Sequence, residues 1–130
     1  MIVVDASAVL ELLLRTPAAE AVERRLFGAR ERLHAPHLLD VEVAHVLRRY
    51  SLAGEMPADR GRAALDYLAD LSLRRHPHEV LLPRVWALRA NLSAYDAVYV
   101  ALAEALDAPL VTRDRRLAGA AGPRARIELL

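Results

Sequence analysis

The first fifteen residues, MIVVDASAVLELLLR (1–15), contain the pattern that decides the fold. Residues 2–4 are three consecutive β-branched side chains, which is typical of a strand buried on both faces of a parallel sheet. The run ends at Asp5, and an apolar helical stretch follows from Ala8 to Arg15 before Thr16-Pro17 stops it. A buried strand that leads directly into a helix indicates an α/β domain.

The same alternation continues along the rest of the chain. Short apolar strands separated by amphipathic helices favour a mainly parallel sheet with helices packed against it. Pro83 lies inside one predicted helix, where a proline is unfavourable. We expect further strands at 33–35, 73–76 (an edge strand), 110–112 and 127–130, and helices at 18–27, 38–52, 57–71, 79–89, 93–106 and 113–118.

Length and composition narrow the class of protein. With 130 residues the chain can form one domain with a real core, so we predict a single domain over 1–130. No uncharged run reaches the roughly 18 residues of a membrane span, and no basic segment precedes the apolar start, so neither a span nor a signal peptide is predicted. Cysteine is absent, which excludes disulfides and thiolate metal sites and fits a cytoplasmic protein.

Four carboxylates are placed where an α/β sheet binds its ligands. Asp5 and Asp114 each follow a strand, and Glu42 and Asp96 each lie in the first turns of a helix. Strand C-termini and the N-termini of crossover helices share one edge of a parallel sheet, and ligands bind along that edge. The four side chains are therefore expected to meet.

Each carboxylate also has a purely structural interpretation. Ser93 and Asp96 have the spacing of a capping box, and Glu42 can simply face solvent. Asp5 or Ser7 could cap the first helix. Thr112 or Asp114 could cap the last one.

Carboxylates that lie close together repel one another unless a cation compensates their charge. Mg²⁺ or Mn²⁺ is the natural cation, because both ions prefer oxygen ligands and need neither cysteine nor histidine. Such an ion supports hydrolysis of a phosphodiester bond by activating water and stabilising charge on phosphoryl oxygens. The acids therefore predict metal-assisted phosphodiester hydrolysis.

The remaining polar residues contribute less to this prediction. All basic residues are arginine and the net charge is only +1, so nucleic-acid binding must depend on local groups of arginines. Arg113, Arg115 and Arg116 bracket Asp114 and are predicted to hold an RNA phosphate at the rim of the site.

The five histidines are left out of the predicted site, since none has paired ligand spacing and His76-Pro77-His78 resembles a surface turn. Four other acids are also left out: Glu11 on a solvated face, Asp40 on another face of the Glu42 helix, and Glu104 and Asp107 at the wrong end of their helix.

Four blocks of the sequence, in order, resemble a PIN domain, and within that superfamily the VapC-type toxins of toxin–antitoxin pairs. The blocks are IVVDASAVLELLL, APHLLDVEVAHVLRR, LSAYDAVYVALAEAL and LVTRDRRLA, and together they span nearly the whole chain. The resemblance implies a three-layer α/β/α fold with about five mainly parallel strands. It also implies a Mg²⁺- or Mn²⁺-dependent endoribonuclease that cuts tRNA or rRNA and thereby inhibits translation.

The resemblance assigns roles to particular residues. Asp5, Glu42, Asp96 and Asp114 match the family's catalytic, metal-binding acids, and Ser7 and Thr112 match its supporting polar residues. It implies a small VapB-type antitoxin as partner, and a homodimer. Two departures are evident: His45 stands where relatives often carry Asn, and Arg115-Arg116 stands where some relatives carry a further acid.

Other functions remain open from the sequence. A PIN nuclease of RNA processing or DNA flaps would carry the same acids, although the small size without an accessory domain disfavours it. A catalytically inactive PIN-like module would only bind a partner, but it would have no use for four mutually repelling carboxylates. A phosphatase of the haloacid-dehalogenase type needs a second Asp two residues after the first, where Ser7 stands here.

Overall fold

The computed structural model describes residues 1–130 as a five-stranded parallel sheet flanked by helices. The strands are β1 (Ile2–Val4), β2 (Leu33–Pro36), β3 (Leu73–His76), β4 (Leu110–Thr112) and β5 (Ile127–Leu129). The helices are α1 (Ala6–Leu13), α2 (Ala19–Phe27), α3 (Leu38–Leu52), α4 (Ala58–Asp70), α5 (Leu82–Ala87), α6 (Ala94–Leu106) and α7 (Arg115–Ala118), and a single 3₁₀ turn covers Glu79–Leu81.

The strand order is β3-β2-β1-β4-β5, with every neighbouring pair parallel. The chain moves outward from β1 to β2 and β3, then crosses back and continues from β4 to β5 on the other side. Because parallel crossovers are right-handed, the helices before and after this reversal lie on opposite faces of the sheet. Their contacts agree: α1–α4 pack among themselves, and α5 packs on α6. The predicted three-layer α/β fold is confirmed.

The central strand and one helix form the middle of the core. Ile2, Val3 and Val4 of β1 are completely buried, as expected for a strand with a neighbour on each side and helices above and below. Helix α6 lies against β1, β2 and β4, and every residue from Ala97 to Ala103 is buried. The apolar sequence of this helix therefore fixes its position rigidly against the sheet.

Three predicted helix boundaries were wrong, each for a local reason. Helix α1 begins at Ala6, two residues early, because the Asp5 side chain caps it by accepting a bond from the Ala8 amide at 3.2 Å. Helix α7 begins only at Arg115, because Asp114 caps it. The helix predicted at 79–89 is a 3₁₀ turn followed by the shorter α5, which has Pro83 in its first turn, where a missing amide hydrogen is tolerated.

The strand reversal between β1 and β4 is the topological switch point of the sheet, and ligands of open α/β sheets bind beyond the strand C-termini at such a point. Asp5 directly follows β1, and Thr112 is the last residue of β4. None of the helices is both long and apolar enough to span a lipid bilayer.

Candidate active site

Asp5 is the buried centre of the site and is only 6% exposed. Its Oδ1 accepts hydrogen bonds from the Ser7 hydroxyl at 2.7 Å and the Ala8 amide at 3.2 Å, and its Oδ2 accepts one from the Thr112 hydroxyl at 2.5 Å. Burial raises the pKa of Asp5, the bonds from Ser7 and Thr112 oppose that rise, and the nearby charge of Asp114 adds to it. The fold thus holds a carboxylate in one orientation at the switch point.

Two hydroxyl groups join the end of β1 to the end of β4. Ser7 Oγ lies 3.3 Å from Thr112 Oγ1 and accepts a bond from the Arg113 amide at 2.9 Å. The fully buried Thr112 hydroxyl also accepts from the Asp114 amide at 2.9 Å. Both supporting residues predicted from the sequence therefore contact Asp5, and Thr112 also fixes the backbone that carries Asp114.

Glu42 projects from the second turn of α3 and is half-buried. Its Oε1 accepts a 2.6 Å hydrogen bond from the hydroxyl of Tyr99, which is 2% exposed. Burial raises the pKa of Glu42, the Tyr99 bond opposes the rise, and the negative charges of Asp5 and Asp96 reinforce it. Glu42 therefore belongs electrostatically to the same acidic edge and does not simply face solvent.

Tyr99 is a residue of this site that the sequence interpretation missed. Burial and the bond to Glu42 raise its pKa, so the phenol stays protonated and acts as a donor. One signal for it was available, because Tyr99 follows Asp96 by three residues and so lies on the same face of α6.

Asp96 and Asp114 are brought together by an arginine. A single nitrogen, Nη2 of Arg116, donates to Asp96 Oδ2 at 2.7 Å and to Asp114 Oδ2 at 3.1 Å. The acidic neighbours raise the pKa of Arg116, with the hydrogen bond to Asp96 as the largest cause. Arg116 was predicted to hold RNA, and in the structure its side chain bridges two of the candidate metal ligands.

The capping interpretations and the site interpretation turn out to be compatible. Asp114 caps α7 through Oδ1, which accepts from the amides of Arg116 and Leu117, while its Oδ2 faces Asp96. The Ser93 hydroxyl caps α6 by accepting from the Asp96 amide at 3.2 Å. The Asp96 carboxylate is engaged with Arg116, so only half of the predicted capping box forms.

The acids excluded at the sequence level are engaged elsewhere. Asp40 forms a two-bond ion pair with Arg75 at 2.7 and 2.9 Å, and Glu104 forms one with Arg84 at the far end of α6. Glu11 was expected on a solvated face, and this was wrong: its side chain is 25% exposed and pairs with Arg113 at 3.6 Å. Asp107 closes α6 as its C-terminal cap.

The expected surface turn at His76 and His78 was also wrong. His76 is the last residue of β3, and its Nε2 lies 2.8 Å from Nδ1 of the buried His34. His78 Nε2 accepts a bond from the Leu38 amide and thereby caps α3. Neither contact places a histidine among the four acids.

An apolar groove of about 600 Å³ adjoins the acidic edge. Two large side chains on its wall are mostly exposed, Val41 at 67% and Tyr95 at 64%. The groove is also lined by Glu42, Ser7 and His45. His45 therefore lies on the rim of this groove.

The donor set fits a hard divalent cation, because it consists of carboxylate oxygens and two hydroxyls with one carboxylate nine-tenths buried. In the structure no three Asp, Glu or His side chains converge closely enough to form a metal cage by themselves. Each of the four carboxylates instead accepts a hydrogen bond from another side chain. The donors are hydroxyl groups for Asp5, Tyr99 for Glu42, and Arg116 for Asp96 and Asp114.

Comparison with known proteins identifies the family. Residues 2–123 match the model of the PIN domain. The chain is 53% identical over 117 residues to VapC ribonuclease Mb0985 of Mycobacterium bovis, covering 90% of this chain and 88% of that protein. It is 48% identical over 130 residues to ribonuclease VapC1 of Mycobacterium tuberculosis, covering 98% and 96%.

A solved structure agrees at the level of the fold. VapBC2 from Rickettsia felis, crystallised with a DNA fragment from its promoter, superposes with a TM-score of 0.71 at 14% identity, covering 99% of this chain and 98% of that one. The match to the family model and the sequence relatives place the chain in the PIN-domain family, among the VapC ribonucleases.

Proposed function

We propose that this chain is a Mg²⁺- or Mn²⁺-dependent endoribonuclease, the toxin of a VapBC-type toxin–antitoxin pair acting in the cytoplasm. The supporting observation is the set of four carboxylates at one sheet edge, organised around the buried Asp5 at the switch point. The VapC relatives are named ribonucleases, which supports RNA as the substrate.

Asp5, Glu42, Asp96 and Asp114 would hold the divalent ion. When bound, the ion supplies Lewis-acid polarisation of the phosphate and makes a nearby water more acidic. Ser7 and Thr112 keep Asp5 in place, and Tyr99 keeps Glu42 oriented through its 2.6 Å bond. Burial raises the pKa of Glu42 and the negative charge of Asp5 adds to the rise, so a cation at this edge would relieve the repulsion between these two carboxylates.

Arginines at the same edge are the proposed contacts for the RNA backbone. Arg115 is exposed, and Arg113 lies at the C-terminal end of β4 beside Ser7. A guanidinium binds a phosphate with two parallel hydrogen bonds, so these side chains suit an RNA strand that passes over the acids.

The partner proposed for this surface is a VapB-type antitoxin. The groove next to Glu42 presents exposed Val41 and Tyr95, which suit the apolar face of a bound helix. An antitoxin segment seated there would cover the acids and exclude RNA. We further propose a homodimer, which light scattering on the purified chain would test.

The function is tested by incubating the purified chain with total tRNA and rRNA in Mg²⁺ or Mn²⁺ and mapping the new 5′ ends. We expect the wild type to cleave, chelation by EDTA to stop cleavage, and Asp96→Asn to be inactive while remaining folded. Equal cleavage by the wild type and Asp96→Asn would contradict the proposal. A folded wild type that binds no metal in calorimetry and cuts no RNA would indicate a partner-binding module instead.

A further inference from the structure

Arg116 occupies an unusual position for a surface arginine. One of its nitrogens, Nη2, lies between two carboxylates that belong to different elements, Asp96 on α6 and Asp114 at the start of α7. No other arginine of the chain forms an ion pair with either of these carboxylates. The guanidinium therefore stands where a cation shared by the two acids would stand.

The backbone holds Arg116 close to this position. Its amide donates to Asp114 Oδ1 at 2.9 Å, and the same carboxylate accepts the Arg116 side chain through Oδ2. The side chain itself is 66% exposed, whereas that of Asp96 is 21% exposed and that of Asp114 is 32% exposed. The two carboxylates are thus less exposed than the arginine, and the arginine is free to turn outward into solvent.

A guanidinium and a divalent ion cannot share these oxygens. Metal ligation needs oxygens at about 2.0–2.1 Å from Mg²⁺, and the positive nitrogen of Arg116 would then be in repulsive contact with the ion. Arginine stays protonated in proteins, so it cannot yield by losing its proton and has to move. An exposed ion pair is weak and is readily exchanged for a stronger cation.

We propose that Arg116 is a built-in competitor for the metal, a positioning residue that shares its single positive charge between Asp96 and Asp114 until a divalent ion displaces its side chain. This rests on the proposed function, because it assigns both acids to the metal. The consequence is that the metal-free protein keeps its acidic edge together at the expense of metal affinity.

The test is the affinity for Mn²⁺ of the folded full chain without RNA, measured by isothermal titration calorimetry. We expect Arg116→Gln to bind Mn²⁺ about fivefold more tightly than the wild type, the effect of removing an exposed ion pair. The matched control is Arg115→Gln, which removes a neighbouring exposed charge that takes no part in the ion pairs and should change the affinity much less. The ratio between wild type and Arg116→Gln should shrink at high salt, because exposed charges are screened.

A second readout separates competition from a general effect on folding. Metal-free Arg116→Gln should melt at a lower temperature than the wild type, because two carboxylates lose their counter-charge. Its melting temperature should rise more than that of the wild type when Mn²⁺ is added, because tighter binding gives more stabilisation. Equal or weaker Mn²⁺ binding by Arg116→Gln would overturn the inference and leave the proposed function intact. Absence of Mn²⁺ binding in all three proteins would overturn both.

Discussion

At the scale of single residues, the hydroxyl group of Thr112 connects two parts of the site. The hydroxyl is completely buried, donates to Asp5 and accepts from the Asp114 amide, so it connects two of the four acids. Thr112→Val has nearly the same shape but leaves a buried carboxylate and a backbone amide without this partner. We expect a loss of about 2 kcal/mol in the free energy of unfolding, together with strongly reduced RNA cleavage.

Thr112→Ser is the matched variant, since it keeps the hydroxyl and removes only a methyl group. It should retain most of the cleavage activity while losing about 1 kcal/mol of stability. Urea denaturation and a cleavage assay on both variants provide the measurement. The role assigned to the hydroxyl is wrong if the two variants lose activity equally.

Whether these contacts could be predicted from the sequence depends on how far apart the two partners lie along the chain. Ser7 and Thr112 were predicted because they match supporting polar residues in blocks that resemble the family. The bond between Tyr99 and Glu42 joins residues 57 apart, and the bridge from Arg116 to Asp96 joins residues 20 apart. Contacts of this kind depend on how the helices pack, and no local pattern encodes them.

At the scale of secondary-structure elements, the strongly periodic and strongly apolar ones were predicted best. Helix α3 has the predicted bounds, because apolar residues recur at helical spacing and Gly54, with a φ of 73°, follows its end. Helix α5 was predicted too long, because the sequence does not reveal that the chain enters it through a 3₁₀ turn. Glu42 and Asp96 of the site lie on α3 and α6, two helices that were predicted well.

The outer strands carry a pair of histidines whose effect appears in the stability of the fold. His34 on β2 stacks on His76 on β3, and burial lowers the pKa of both rings. The positive charge of Arg74 also lowers both pKa values. In the unfolded chain each histidine has a pKa near 6.5, so below that pH the unfolded state binds protons that the folded state does not.

We therefore expect the histidine pair to reduce the free energy of unfolding as the pH is lowered below about 6.5. His76→Gln removes one of the two rings and should make this dependence shallower, whatever its effect at pH 7.5. Urea denaturation at a series of pH values is the measurement, and identical slopes in wild type and His76→Gln would contradict the expectation.

At the scale of the whole molecule, the strand order explains why four acids distant in sequence share one edge. The reversal between β1 and β4 opens a crevice at the ends of these strands, and α6 crosses behind it with Asp96 at its first turn. The sequence predicted a parallel sheet and the common edge. It could not predict which strands are neighbours, because the order depends on long-range packing of helices that look alike in their local patterns.

The same helix, α6, carries a carboxylate near each end, and the molecule uses them for different purposes. Glu104 lies at the end remote from the site, with its side chain 11% exposed, and accepts two bonds from Arg84 and one from the Arg124 amide. Burial alone would raise the pKa of Glu104, but these bonds outweigh it and the pKa is lowered. This carboxylate ties α5 and the chain before β5 to α6, and it contacts none of the four acids.

Glu104→Gln and Asp96→Asn should therefore have opposite effects, although both replace one carboxylate of α6 by an amide. Glu104→Gln leaves Arg84 without its charged partner and should lower the free energy of unfolding by about 2 kcal/mol, with cleavage unchanged at a temperature where the protein is folded.

Asp96→Asn should unfold at nearly the wild-type urea concentration and cleave no RNA, because an amide is a poor ligand for Mg²⁺ and the Ser93 cap does not depend on the carboxylate. The measurements are urea denaturation and RNA cleavage, each carried out on both variants. Loss of folding in Asp96→Asn with cleavage retained would mean that Asp96 serves the helix, and loss of cleavage in a folded Glu104→Gln would mean that the site extends beyond the edge described.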